Sequence, residues 1–92
     1  MSKNTVVSII ITYFKKKKFI KRTLQSVYNQ SFKNYEIIFV YDDEDTNDIK
    51  YVKTLIKKFK KFKFKKNKKN YGVAKSRNIA IKFCRGKFIS FL

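Results

Sequence analysis

Two short runs of β-branched and aromatic residues, Val6 to Ile11 and Tyr35 to Tyr41, constrain this chain more than any other feature, because the stretch between them carries the repeat of a helix. Neither run alternates apolar with polar residues as a half-exposed strand does. A near-continuous apolar strand is one covered on both faces, as in a parallel sheet. Between the runs, and after the lysines Lys15 to Lys18, residues Phe19, Ile20, Thr23, Leu24 and Val27 take the i, i+1, i+4, i+5, i+8 positions of an amphipathic helix that ends near Asn29-Gln30. Strand, helix, strand leaves no room for a hairpin, so the two strands are expected as parallel, adjacent and central.

The remainder repeats the alternation. Asp45 to Asp48 offers Asp, Thr and Asn as N-cap candidates, with acids where a helix dipole favours them. Ile49, Val52, Leu55, Ile56 and Phe59 then mark one face of a second helix. Phe62 and Phe64, alternating with lysines, predict a short third strand near a sheet edge. Asn67 to Asn70 reads as a loop, Gly72 opens a third helix, Gly86 is its expected C-terminal stop, and Lys87 to Leu92 begins a fourth strand. The predicted fold class is α/β: a βαβαβαβ parallel sheet with flanking helices. Such sheets hold ligands beyond the carboxyl ends of their strands, which singles out the loops Thr12 to Lys18, Asp42 to Asp48 and Lys65 to Gly72.

At 92 residues the chain makes one domain at most. With 43% apolar residues, ten Phe and six Tyr, it is too hydrophobic for a disordered chain. The formal charge of +18 raises a basic module that adheres to nucleic acid or anionic membrane as the alternative reading. Against it, only Arg22, Arg77 and Arg85 are arginines among 24 basic residues, whereas bidentate phosphate recognition favours Arg. The absence of Pro and Trp beside abundant Lys, Asn, Ile, Phe and Tyr matches the bias of an AT-rich coding sequence, and nucleic acid is not the expected partner. Cys84 stands alone, without disulfide or metal spacing, and is expected as a small buried thiol. Lys3 precedes an apolar run too short for a signal-peptide core or a membrane span, so no transmembrane segment is expected and the default location is the cytoplasm.

What the strand ends lack is informative. The loop Thr12-Tyr13-Phe14-Lys15 contains no glycine, which excludes both a dinucleotide fingerprint and a P-loop. Thr-Tyr after the first strand and Lys after the third likewise exclude the acid set of a phospho-acceptor receiver domain. Instead, five of the six acids lie between Asp42 and Asp48. Helix-start acids account for Asp45 and Asp48, but Asp42 and Asp43 sit at the end of the second strand, where a carboxylate accepts hydrogen bonds from a base N–H or a ribose hydroxyl.

Four blocks carry a resemblance: Val7-Ser8-Ile9-Ile10-Ile11-Thr12-Tyr13-Phe14; Leu24-Gln25-Ser26-Val27-Tyr28-Asn29-Gln30-Ser31-Phe32; Tyr35-Glu36-Ile37-Ile38-Phe39-Val40; and Gly72-Val73-Ala74-Lys75-Ser76-Arg77-Asn78. In this order and spacing they resemble the N-terminal, nucleotide-binding half of family 2 glycosyltransferases. The resemblance implies a truncated GT-A, Rossmann-like fold over residues 1–92. It also implies an inverting transfer from a nucleotide-diphosphate sugar, with a UDP-sugar expected, to a glycan or other acceptor. Carried over by position, Thr12, Tyr13 and Phe14 frame the base, Asp42 or Asp43 bonds it, and Arg77 faces the nucleotide side.

The chain departs from the family where Thr12 replaces a usual Pro, Lys15 a usual Asn, and Tyr41-Asp42-Asp43-Glu44 a usual Asp-Asp-Gly-Ser. The family's Asp-x-Asp motif, which holds Mg²⁺ or Mn²⁺ against the diphosphate, follows a strand like Phe88 to Leu92, where these 92 residues stop. No metal cofactor or catalytic base is therefore expected within the chain, no turnover is expected from it alone, and a missing C-terminal half is the expected partner. A peripheral position at the inner face of the membrane is compatible with that reading.

Overall fold

The computed structural model describes residues 5–92, so Lys3 lies outside the described residues. The elements alternate as expected: β1 (Val7–Tyr13), α1 (Lys17–Asn29), β2 (Tyr35–Tyr41), α2 (Ile49–Ile56), β3 (Phe62–Lys66), α3 (Val73–Ile81) and β4 (Phe88–Phe91). The four strands form one sheet in the order β3-β2-β1-β4, parallel throughout. β1 and β2 are the central pair, in register from Val7 opposite Tyr35 to Tyr13 opposite Tyr41. Helix α1 begins inside the lysine run, at Lys17, with its long charged side chains in solvent.

Alternation along the central strands divides the core in two. Ile9, Ile11 and Tyr13 of β1 and Ile37, Phe39 and Tyr41 of β2 face Ile20, Leu24 and Val27 of α1 and Val52 and Ile56 of α2. Ile10, Ile38 and Val40 face the opposite way, against Ala80 of α3 with Phe83 and Cys84 beside it. Both faces are covered, which is why Ile9 to Ile11 and Ile37 to Val40 are apolar on consecutive positions. Each fully buried Ile, Leu, Val or Phe contributes roughly 1.5–3 kcal/mol over its exposed state. An aromatic layer under α2 adds geometry to area: Tyr13 stacks on Tyr41 at 5.2 Å between ring centroids, and Phe39 on Phe64 at 5.5 Å.

One polar pair interrupts the second face. Ser8 and Glu36 are register partners on β1 and β2, and the Ser8 hydroxyl donates to Glu36 Oε2 at 2.6 Å. The turn between α3 and β4 closes on the same pair: the Arg85 N–H donates to Glu36 Oε2 at 2.6 Å and the Gly86 N–H to Ser8 Oγ at 2.8 Å. The charge of Glu36, 4% exposed, is thus met by donors on neighbouring segments.

Two expectations are corrected here. Gly86 does not stop α3, which ends at Ile81 and closes with N–H bonds from Lys82, Phe83 and Cys84 to the carbonyls three residues back. Gly86 instead permits close approach, because a Cβ there would lie 2.6 Å from the Ser8 nitrogen and 2.8 Å from the Val7 carbonyl carbon. Cys84 is half-buried rather than buried, its thiol 3.5 Å from the Ala80 carbonyl oxygen, and burial pushes its pKa up.

The edges differ. β3 is guarded by Lys63, Lys65 and Lys66, whereas β4 presents Phe88, Ile89 and Phe91 to solvent. None of the described helices is long and apolar enough to cross a membrane.

Gly86→Ala is expected to lower stability by about 1–3 kcal/mol, because backbone atoms of β1 have to move to admit the methyl group. Urea denaturation measures it, and a change under half a kcal/mol, the scale of a neutral surface substitution, counts against the close-approach role.

Candidate functional site

The carboxyl ends of β1, β2 and β3 meet around one side chain. Asp42 directly follows β2 and is 2% exposed; its N–H donates to the Tyr13 carbonyl at 2.7 Å, joining the ends of the central strands. Its carboxylate accepts four bonds from the loop between β3 and α3. Oδ1 receives Asn67 Nδ2 at 2.9 Å and the Tyr71 N–H at 2.7 Å; Oδ2 receives Asn70 Nδ2 and the Gly72 N–H, both at 2.9 Å. Asn67 Nδ2 continues to Ser76 Oγ on α3 at 3.1 Å.

Local sequence explains this geometry. Gly72 has φ 95, a left-handed conformation open to glycine at little cost, and it turns successive N–H groups toward the carboxylate at the start of α3. An acid beside a helix N-terminus is favoured by the dipole as well as by the orphan N–H groups. The asparagines at 67 and 70 supply side-chain donors without competing acids nearby. Sequence reasoning marked this loop but assigned no role to Asn67, Asn70 or Tyr71. The available signal was two asparagines flanking a glycine turn, residues that favour side-chain bonds to nearby chain.

The six residues named from sequence end in different settings. Thr12 and Tyr13 are interior, and the Tyr13 hydroxyl donates to Asp48 Oδ2 at 2.7 Å. Phe14 is 39% exposed and carries the Lys15 ammonium 5.2 Å from its ring centroid. Lys15 itself has φ 53, a sharp turn at the position where the resembling family has Asn, a residue more at ease in that region. Asp42 faces inward onto the loop. Asp43 is 6% exposed: Oδ1 accepts the Asp45 N–H at 3.0 Å, and Oδ2 lies 3.4 Å from the Lys15 ammonium. Arg77 lies apart on α3, its guanidinium 4.8 Å above the Phe91 ring of β4. The fold therefore brings Phe14, Asp42 and Asp43 together and leaves Arg77 at the β4 side.

The acidic segment serves α2 differently from the capping reading. Asp48 holds the N-cap position without a capping side-chain bond, because its carboxylate is taken by Tyr13. The hydroxyl of Tyr41 reaches the same segment, donating to the Asp45 carbonyl at 2.7 Å and accepting the Asp48 N–H at 3.3 Å. Burial raises the pKa of Tyr13, and the bond to Asp48 and its charge raise it further; burial also raises Tyr41.

The described carboxylates do not fit a divalent ion. All acceptor directions of Asp42 are filled by the chain's own donors, Asp43 is paired with Lys15, Asp45 accepts the Asn47 N–H, Asp48 is held by Tyr13, Glu36 lies at the far end of the sheet, and Glu44 joins no group of three or more potential ligands among the described residues. A cleft of about 50 Å³ beside Thr12, Lys16 and Leu92 adjoins the site; a larger cavity, about 1030 Å³, opens at the opposite end of the sheet. The chemistry identifies the carboxyl end, since the loops and acids converge there and not at the larger cavity.

Asp42→Asn is expected to cost about 1–3 kcal/mol in urea denaturation, because an amide sets its own N–H groups against two of the four donors. Faster amide exchange at Tyr71 and Gly72 localises the loss to the loop, and unchanged exchange there contradicts it. At high pH, the folded chain holds the Tyr13 proton above the ordinary value near 10, so unfolded chains deprotonate first. That contribution is complete below about pH 10 and falls as the pH rises above it. Tyr13→Phe is expected to flatten the alkaline loss, as read from melting temperatures across that range.

The family model for glycosyl transferase family 2 matches residues 8–92. The chain is 39% identical over 89 residues to the Escherichia coli UDP-Glc:alpha-D-GlcNAc-diphosphoundecaprenol beta-1,3-glucosyltransferase WfaP, covering 95% of this chain and 34% of that protein. It is 33% identical over 88 residues to the GalNAc(5)-diNAcBac-PP-undecaprenol beta-1,3-glucosyltransferase of Campylobacter jejuni, covering 94% of this chain and 28% of that one. The crystal structure of S. aureus TarS 1-349 superposes with a TM-score of 0.82 at 26% identity, over 95% of this chain and 26% of that 1-349 chain. The chain thus spans about a third or less of each of these proteins, and within that span the matches run through both central strands, the Asp42 loop and α3. With a GT-A-like parallel sheet and a family match from Ser8 to Leu92, this chain belongs to glycosyltransferase family 2.

Proposed function

We propose that the carboxyl end of the sheet binds the nucleoside end of a nucleotide-diphosphate sugar, a UDP-sugar, as the donor-binding part of an inverting glycosyltransferase. The observation that carries the reading is the Asp42 centre, which fixes the loops after β1, β2 and β3 side by side at the end of the central strands. In this reading Phe14, the exposed aromatic of the first loop, stacks on the base. Asp43, whose Oδ2 has only Lys15 as a partner among the described residues, accepts a base or ribose proton. Asp42, Thr12 and Tyr13 hold the frame, and Arg77 stands toward the phosphates, where a guanidinium pairs with two oxygens at once.

The printed names of the relatives support the donor and suggest the setting. One uses UDP-Glc, and both enzymes named above act on diphosphoundecaprenol-linked sugars. On that support the acceptor is a lipid-linked glycan and the working position is the cytoplasmic face of a membrane. Metal ligands, catalytic base and acceptor groove are assigned to residues outside these 92, because the relatives named above extend well beyond the span that this chain matches. The 92-residue chain is accordingly proposed to bind donor weakly and to transfer no sugar by itself.

Titrating UDP into the labelled chain is expected to shift the amide resonances of Phe14, Asp43 and Asp45. Asp43→Asn is expected to weaken binding about tenfold or more, the scale of a hydrogen bond to a charged group, with little change in melting temperature. Shifts confined to another surface, or equal UDP affinity in wild type and Asp43→Asn, overturn the assignment. Released nucleotide above buffer, from a panel of sugar nucleotides with Mn²⁺, overturns the claim of inactivity.

A further inference from the structure

We propose that the cavity at the amino-terminal end of the sheet, remote from the Asp42 centre, is a binding site for a multiply charged phosphate anion. It is open, encloses about 1030 Å³, and lies where β1, β2 and β3 begin and the turn after α3 returns to the sheet. Thr5 and Asn34 supply neutral polar wall, and Glu36 is the single acid of the lining. Around it stand five cations: Lys60, Lys61, Lys63, Arg85 and Lys87.

That acid does not neutralise the ring. Oε2 of Glu36 is occupied by the Ser8 hydroxyl and the Arg85 backbone N–H, and Oε1 lies 3.9 Å from Lys63, the one cation of the ring that it pairs with among the described residues. Lys63 also donates to the Phe83 carbonyl at 2.8 Å, and Lys61 to Thr5 Oγ1 at 3.4 Å, neutral partners that leave the charge in place. Lys60, Arg85 and Lys87 are exposed, and none of their side chains has an acidic partner among the described residues.

Helix dipoles do not explain the ring. A dipole acts within the last turn, whereas Lys60 and Lys61 lie beyond the end of α2 at Ile56, and Arg85 and Lys87 beyond the end of α3 at Ile81. Five like charges around one cavity repel one another, and a bound polyanion relieves the repulsion. A guanidinium fork with flexible ammonium groups is the donor set that phosphate takes. The cavity reaches the upper size of small-ligand pockets, about 1,000 Å³, which admits several linked phosphates. The proposal is independent of the nucleotide reading, since no lining residue is shared with the carboxyl-end loops.

The experiment is calorimetric titration of the full chain with tripolyphosphate at about 0.15 M salt, where surface charges more than a Debye length apart are screened. Lys60→Ala/Arg85→Ala/Lys87→Ala is compared with Lys18→Ala/Lys21→Ala/Arg22→Ala, which removes the same charge from the exposed face of α1. Saturable binding that falls about tenfold or more in the first variant and within about twofold in the second is expected, because only the first removes local phosphate partners. Equal losses in both, or no saturable binding by the wild type, overturn the site. Lys60→Ala alone gives the same reading in smaller measure if the triple variant fails to fold. Sedimentation with phosphatidylcholine vesicles containing phosphatidic acid, whose phosphomonoester headgroup is multiply charged, identifies the source. Vesicle binding lost in parallel with tripolyphosphate binding assigns the site to a lipid headgroup, and vesicle binding unchanged while tripolyphosphate binding is lost assigns it to a soluble anion.

Discussion

The Asp42 carboxylate accepts two side-chain amides and two backbone N–H groups from a loop that would otherwise have few reasons to adopt one shape. Hydrogen bonds to an ionised acceptor are roughly twice as strong as neutral ones, and inside the fold their competition with water is removed. Because Asp42 also clips its backbone to β1, and Asn67 passes the network to Ser76, the end of the central pair, the third strand's loop and the start of α3 are set by one charge. Every loop at the candidate site is positioned with respect to it.

A second buried acid performs the corresponding task at the other end of the sheet. Glu36 and Ser8 occupy paired positions where the strand pattern calls for apolar residues, and they bond the turn after α3 as it passes beneath β1. Burying a carboxylate without partners would cost several kcal/mol, so its presence between dry strands is tolerable only because those donors converge on it. Among the described residues, no buried side-chain nitrogen or oxygen lacks a partner. The two acids divide the molecule's polar interior into an end that organises loops for a ligand and an end that ties the last strand to the sheet.

Charge is distributed unevenly around this frame. Acids gather beyond β2, cations ring the opposite cavity, and the edge at β4 is almost free of either. The lysine-bearing β3 edge resists pairing with another strand, as edge lysines generally do, while β4 exposes aromatic and aliphatic side chains along an open ladder. Lysine abundance thus does not act uniformly: its effect depends on which strand end or edge the fold brings it to.

The order of elements and the parallel central pair were legible in the sequence. Periodicity records burial directly: Ile9 to Ile11 and Ile37 to Val40 are apolar on consecutive positions only because helices cover both faces. The glycosyltransferase blocks were legible too, since they lie in local runs, as were the two aspartates at the end of β2. Nothing in the linear chain showed that Asp42 turns inward and Asp43 remains beside Lys15, because the donors that hold the Asp42 carboxylate and the Lys15 ammonium beside Asp43 all lie 25 or more residues away. The same distance hid the Tyr13 bond to Asp48, the contact of Gly86 with β1, and the ring of cations assembled from two segments. Sequence alone determined which segments pack, because hydrophobic spacing is local. Tertiary structure decided what each charged residue does, because a charge takes its role from whatever the fold sets within a few ångströms of it.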